Sequence, residues 1–139
     1  MSISDEVNTI TDELLLFDDV MDKYEYIIDI GKQLGHLDEK YKTEFYRVQG
    51  CQSQVWLHAY EKEGLIYFEA DSDALIVKGL VQILIRIYSG RSAKEILETD
   101  TSLLKSLGLS EIISSGRQNG IASMLKRIYG FAKEVYNDR

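Results

Sequence analysis

The sequence contains a single cysteine, Cys51, within the stretch VQGCQSQVW at positions 48–56. A cysteine thiolate is a strong nucleophile, and a lone thiol cannot form a disulfide within its own chain. Gly50 leaves the side of the sulfur uncrowded and tolerates unusual backbone dihedrals. Two interpretations stay open on these residues. Cys51 is either a small inert residue at the edge of a strand, or a nucleophile on a loop that a sheet positions.

The residues after the cysteine offer hydrogen bonds but no general base, since they are Gln52, Ser53 and Gln54. A Cys–His hydrolase needs an imidazole beside the thiol. The chain has two histidines, His36 and His58. The second lies on a predicted strand, seven positions after the cysteine, and would point away from the hairpin end. The pattern therefore disfavours a hydrolase, and we interpret His58 as a surface residue of the strand.

Metal chemistry finds little support in the sequence. One cysteine and two histidines are too few for a typical zinc or iron–sulfur site. The segment DSD at 71–73 has carboxylates, but Asp and Ser at that spacing are more typical of a helix cap than of a cation site.

A cation lies at the predicted start of the last helix, because Arg117 belongs to the segment SSGRQNG at 114–120. The helix dipole disfavours a positive charge there. Arg117 therefore either faces solvent or serves a nearby anion, such as a thiolate or a persulfide. Gly120 in the same segment indicates a close approach of two backbones.

Composition limits the classes of partner and location. The chain of 139 residues fits one domain, and its net charge of -7 disfavours binding to nucleic acid or to an anionic membrane surface. The acidic, polar N-terminus does not resemble a signal peptide. The apolar run at 74–88 contains Lys78 and Arg86 and is too short to span a bilayer. A single cysteine fits a reducing compartment, so we expect a cytoplasmic protein.

The periodicity predicts helices, then strands, then helices, which is an α+β arrangement. Ser4 is the expected cap of the first helix, and the second is expected from Asp18 or Asp19 to Gly35. A buried helix should follow a cap at Ser72 or Asp73 and end at Gly90. The last helix should begin within 114–116.

Three runs between these helices, 45–49, 54–62 and 65–71, are rich in aromatic and β-branched residues. They predict a three-stranded antiparallel meander packed against the helices. Glu63 and Gly64 form the expected tight turn between the second and third strands. Cys51 then lies in the first hairpin loop.

The stretch around Cys51 resembles the signature of the SufE family. Three further segments resemble that family in the same order, namely DKYEYIIDIGKQL at 22–34, DSDALIVKGL at 71–80 and LGLSEIISSGRQNGIASM at 107–124. The chain departs from the family pattern where Gly35 and Ser115 stand in place of prolines.

The resemblance implies a fold like that of the IscU-type scaffold proteins and a function in sulfur transfer. Cys51 would accept sulfur as a persulfide from a pyridoxal-phosphate cysteine desulfurase of the SufS or CsdA type. It would deliver that sulfur to an iron–sulfur scaffold such as the SufBCD complex. The chain would activate the desulfurase without being an enzyme on its own, and would hold no cofactor or metal apart from the transient persulfide.

The expected site follows from the same resemblance. Arg117 would increase the thiolate fraction of Cys51 and stabilise the persulfide. We assign Gly50, Gln52, Ser53 and Asp73 to a partner-binding loop. An apolar pocket beneath that loop would shelter the loaded sulfur, although it would oppose ionisation of the thiol.

Two other functions stay open. An iron–sulfur or metal scaffold of the same fold would need about three cysteines or equivalent ligands per cluster, and this chain has one cysteine. An interaction module without chemistry would have a purely structural Cys51, which a thiol-reactivity assay would reveal.

Overall fold

The computed structural model describes residues 2–51, 53–110, 112–113 and 115–138, without the side chains of residues 115 and 116. The architecture is α+β, as the periodicity predicts. The elements are α1 (Ile3–Leu14), α2 (Val20–Gly31), β1 (Val55–Lys62), β2 (Leu65–Ser72), α3 (Leu75–Tyr88), α4 (Ala93–Glu98) and α5 (Ser115–Asn137), with short 3₁₀ helices at Glu39–Tyr41 and Thr101–Leu107.

The first two helices begin at side-chain caps. The cap of α1 is Ser2, not the predicted Ser4, because Asp5 completes a capping box with it. The cap of α2 is Asp19, as predicted. This helix ends at Gly31 rather than at the predicted Gly35, since the following amides turn back in tighter hydrogen bonds to residues three positions earlier.

The two strands form an antiparallel hairpin in which Val55 pairs with Ser72 and Lys62 with Leu65. The turn between them has positive φ at both central residues, 54° at Glu63 and 83° at Gly64. Such turns match the right-handed twist of the strands, so the predicted tight turn is confirmed.

The first of the three predicted strands, at 45–49, is wrong, and the sheet has two strands among the described residues. The chain turns at this point, because the amides of Tyr46 and Arg47 both donate to the Thr43 carbonyl. Only one bridge to β1 follows, between Arg47 and Trp56.

The predicted cap of α3 is also wrong. Its N-cap is Ala74, which makes no side-chain hydrogen bond to the helix. Ser72 and Asp73 instead bond to the backbone of Gln54, on the other side of the hairpin. The helix ends at Tyr88, shortly before Gly90 with its φ of 77°.

Helix α3 lies at the centre of the core and packs against the sheet, α1 and α2. Arg86 ties it to α1 through Glu6 at 3.0 Å and Glu13 at 3.2 Å. On α5, Met124, Ile128, Ala132 and Val135 of the predicted inner stripe are buried, whereas Ile121 and Leu125 are half-buried. No helix in the described ranges has the length and apolar character needed to cross a membrane.

Helices α2 and α3 cross at two glycines. A Cβ at Gly31 would lie 2.7 Å from the backbone nitrogen of Gly79, and a Cβ at Gly79 would overlap the carbonyl oxygen of Ile27. The backbones therefore meet without an intervening side chain.

Gly79→Ala should destabilise the fold by about 3 kcal/mol, because the added methyl has no space at the helix crossing. The matched control is Gly130→Ala on α5, where an added Cβ has no neighbour within 4 Å. This control should gain up to about 1 kcal/mol from helix propensity. Urea unfolding measures both, and equal stabilities of the two variants would contradict the described crossing.

Candidate functional site

The loop that carries Cys51 is closed at its C-terminal side by hydrogen bonds to the end of β2 and the residue that follows it. The Gln54 amide donates to Oδ1 of Asp73 at 3.0 Å, and the Gln54 carbonyl accepts from Oγ of Ser72 at 2.8 Å. At the N-terminal side, the Val48 amide donates to the Val55 carbonyl at 2.8 Å. The loop is therefore fixed to the sheet at both ends.

The middle of the loop lies against α5, and two glycines permit the contact. Gly50 has φ of 85°, and a Cβ there would lie 3.1 Å from Oγ of Ser123. Gly120 is buried, and a Cβ on it would lie only 2.8 Å from Sγ of Cys51. The thiol thus rests on a part of the helix that has no side chain, which is the close approach that Gly120 predicts.

A cavity of about 110 Å³ lies beside the thiol, between the loop, α3 and α5. Cys51, Ser53 and Arg117 contribute polar or ionisable groups to its wall. The rest of the wall is largely apolar, and includes Val55, Ile76, Val77, Leu80, Val81 and Met124. The cavity has the apolar character that we expect of a pocket beneath the loop.

Partial burial raises the pKa of the Cys51 thiol, because the thiolate loses hydration in this apolar environment. The positive charge of Arg47 acts in the opposite direction. Arg47 is held by two contacts. Its Nη1 lies 3.2 Å from Oε1 of Glu44, and its carbonyl accepts a hydrogen bond from Nη1 of Arg127 at 3.0 Å.

Arg47 is a site residue that the motifs of the sequence do not single out. A signal was available, because Arg47 lies four positions before the cysteine on the opposite arm of the same loop. The structure therefore brings two arginines, Arg47 and Arg117, to the neighbourhood of the thiol, where the sequence predicts one.

Arg117 lines the same cavity as Cys51. Its Nη1 donates to the Ile112 carbonyl at 2.9 Å, and its guanidinium lies 5.9 Å from the centre of the Tyr24 ring. A carbonyl oxygen and an aromatic face therefore hold this cation at the start of α5. The predicted action of Arg117 on a sulfur anion stays a prediction.

The residues assigned to the partner-binding loop have different positions. Gly50 and Ser53 lie beside the thiol, and Asp73 holds the end of the loop through Gln54. Gln52 lies outside the described residues.

His58 lies on the other face of β1, as expected. Its Nδ1 is 2.9 Å from Oε1 of Glu69, and its ring stacks on Tyr41 with 3.8 Å between the ring centres. It is half-buried by these partners but still reaches the surface of the strand. Within the described ranges, no group of three or more His, Cys, Asp or Glu side chains is placed to hold a metal ion.

Comparison with known proteins identifies the family of this chain. Residues 8–132 match the family model SufE, described as an Fe-S metabolism associated domain. An uncharacterised SufE-like protein of Rhizobium etli is 42% identical over 132 residues, which cover 91% of this chain and 89% of that protein. A SufE-like protein of Arabidopsis thaliana, named as chloroplastic/mitochondrial, is 42% identical over 105 residues, which are 75% of this chain and 28% of that protein.

A solved structure shares the fold. The solution structure of a hypothetical protein from Thermus thermophilus matches with a TM-score of 0.78 at 17% sequence identity. The match covers 95% of this chain and 96% of the other.

Alkylation of Cys51 by iodoacetamide should reach half of its limiting rate at a higher pH in the folded chain than in the urea-unfolded chain. The reason is that burial raises the pKa of the thiol, and only the thiolate reacts. Arg47→Gln should move the midpoint still higher, because it removes the opposing positive charge. Lys133→Gln, which changes an exposed lysine late in α5, is the control. A folded midpoint at or below the unfolded one would contradict this description.

Gly120→Ala should increase the alkylation rate of Cys51 several-fold at fixed pH, because the added methyl displaces the thiol from its contact with α5. The stability should change little, since alanine favours the helix by about 1 kcal/mol and offsets the disturbed packing. Gly130→Ala on the same helix is the matched control and should leave the rate unchanged. Equal rates in both variants would show that Cys51 does not rest on Gly120.

Proposed function

Because the chain belongs to the SufE family, we propose that Cys51 accepts sulfur from a pyridoxal-phosphate cysteine desulfurase and passes it to an iron–sulfur scaffold such as SufBCD. The family description supports a role in iron–sulfur metabolism. The observation that carries the finer proposal is the position of the thiol, on a glycine of α5 and at the wall of a largely apolar cavity.

The transfer is redox-neutral and therefore needs no external oxidant or reductant. The desulfurase holds a sulfane sulfur on its own cysteine, as a persulfide. The Cys51 thiolate attacks that terminal sulfur, a new S–S bond forms at Sγ, and the old S–S bond breaks. The bonding pair leaves with the donor cysteine as a thiolate. Delivery repeats the same exchange with the next acceptor thiol, which restores Cys51.

The cavity has two opposing effects on this exchange. Its apolar wall keeps water and reductants away from a sulfur carried on Cys51, which a carrier requires between two partners. The same wall lowers the thiolate fraction, because it raises the pKa of the thiol. The positive charge of Arg47 partly offsets this cost, and we assign to it the role of favouring the attacking thiolate.

Arg117 is suited to act after sulfur has been added to Cys51. A sulfur added to Cys51 extends the side chain, and Arg117 lines the cavity into which it would extend. A persulfide is an anion at neutral pH, and a guanidinium forms charge-assisted hydrogen bonds with anions. We assign to Arg117 the role of stabilising the loaded sulfur.

The scaffold alternative has no support of comparable weight. A cluster would need several soft ligands, and the described part of the chain has one cysteine and no metal-binding group. The cytoplasmic location stays a prediction, and so does the absence of a bound cofactor.

Incubation with a cysteine desulfurase and cysteine should raise the intact mass of the chain by one or more sulfur atoms. Cys51→Ser should abolish the gain, because the chain contains no other thiol. A reductant should remove the added mass, and peptide mapping should place it on the fragment that contains residues 50–53. Stimulation of the desulfurase without any gain in mass would exclude the carrier function.

The same assay tests Arg117. Arg117→Ala should slow the loading of Cys51 by roughly ten- to a hundredfold, because it removes a charge-assisted contact of roughly 1.5–3 kcal/mol. The pH midpoint of alkylation in the unloaded thiol should change less than it does in Arg47→Gln. Loading at the wild-type rate would leave Arg117 with a structural role through Ile112 and Tyr24.

A further inference from the structure

A second, larger concavity lies next to the loop, between the edge of β1 and α5. This groove has a volume of about 740 Å³, and Phe45, Leu57, Ala59, Ser123, Lys126 and Phe131 are among its lining residues. We refer to it as the β1–α5 groove. It adjoins the segment 45–49, for which the sequence predicts a strand and which makes a single bridge to β1 in the structure.

One wall of the groove is an open strand edge. The carbonyl of Val55 and the amide of Leu57 bond to residues 48 and 46, so these positions of β1 point away from β2. Backbone groups alternate in direction along an antiparallel strand, and the amide and carbonyl of Ala59 therefore also point away from β2. Among the described residues, no backbone hydrogen bond outside the helices and the β1–β2 pair involves Ala59.

The groove also has an exposed aromatic side chain that the rest of the described chain leaves largely uncovered. Phe45 is 81% exposed at one side of it, although a phenylalanine would normally be covered. Phe131 lines the groove from α5 and is half-buried, with its ring 6.4 Å from that of Phe68 in the core. Exposed aromatic side chains beside an open strand edge are typical of a surface that a partner covers.

The groove has positively charged side chains, although the chain as a whole is acidic. Lys126 and Arg127 line the groove, whereas the whole chain has a net charge of -7. Neither side chain forms an ion pair with any other described residue. Glu134 lies farther along α5 in the same groove. The middle of the groove is therefore complementary to an acidic segment.

The groove is continuous with the surface of α5 that the Cys51 loop contacts. Ser123 lines the groove, and its Oγ is also the atom that a Cβ on Gly50 would approach at 3.1 Å. A partner that occupies the groove thus lies beside the loop of Cys51. The unloaded chain, with its loop seated on α5, is the form that meets the sulfur donor.

We propose that the β1–α5 groove binds an extended, acidic segment of the cysteine desulfurase, which adds to the free edge of β1 as a third strand. This inference rests on the proposed function. Main-chain hydrogen bonds to Ala59 provide part of the affinity, as in other cases of strand addition. Acidic side chains of the segment pair with Lys126 and Arg127, and apolar ones contact Phe45 and Phe131.

The test measures the dissociation constant between the purified chain and its desulfurase for three variants. Lys126→Glu and Phe45→Ala should each weaken binding about five- to tenfold, because they remove a charge pair and an exposed anchor. Ala59→Pro should weaken it similarly, since proline removes only the outward amide and is tolerated at an edge. Lys133→Glu and Leu16→Ala are the matched controls, an exposed lysine on the same helix and an exposed leucine outside the groove.

Two readouts separate this inference from the proposed function. The Ala59 amide should become protected from hydrogen exchange when the desulfurase binds, and loading of Cys51 in Lys126→Glu should need about five- to tenfold more desulfurase to reach half of its maximal rate. Unchanged dissociation constants and an unprotected Ala59 amide, with normal loading of the wild type, would overturn the groove proposal alone. A wild-type chain that binds but is never loaded would overturn the proposed function.

The groove could instead accommodate a second copy of the chain. Sedimentation of the isolated chain over a range of concentrations measures this. A dimer that Ala59→Pro dissociates would overturn the proposal, whereas a monomer supports it. Circular dichroism and urea unfolding identify any variant that fails to fold, and Phe45→Ala keeps the proposal testable because Phe45 is 81% exposed.

Discussion

The contact between Cys51 and the bare backbone of α5 at Gly120 determines the geometry of the site. A side chain at position 120 would occupy the place of the sulfur, and one at position 50 would press on Ser123. The contact needs α5 to be fixed, and the buried face of that helix in the core fixes it. It also needs the loop to be closed, which Asp73 achieves just after β2.

Sheltering a thiol and activating it are opposing requirements, and this site meets both only in part. The apolar wall that would protect a sulfur on Cys51 in the proposed function also raises the pKa of Cys51. Arg47 opposes that shift from the side of the loop, while Arg117 is held in the cavity wall by the Ile112 carbonyl. The two cations therefore occupy different positions around one sulfur. This separation suits the proposed sulfur transfer, in which Cys51 would be a thiolate before loading and a persulfide after it.

Local signals in the sequence predicted the helices, the tight turn and the loop of Cys51, because apolar periodicity and turn residues act over a few positions. Specific hydrogen bonds, some local and some across the hairpin, decided where these predictions fail. Ser72 and Asp73 have the composition of a helix cap, but they bond to Gln54 across the hairpin. The run at 45–49 has strand composition, yet a turn at Thr43 leaves it a single bridge. The effect of Arg47 on the thiol required the folded loop.

The most direct test of the seated thiol is a nuclear Overhauser measurement on the free, isotopically labelled chain. The contact predicts cross-peaks between the β-protons of Cys51 and the α-protons of Gly120, since a Cβ built on Gly120 would lie 3.5 Å from that of Cys51. Cross-peaks at both α-protons or at one of them would support the account. Their absence, with amide exchange at Cys51 as fast as in an unfolded chain, would contradict it.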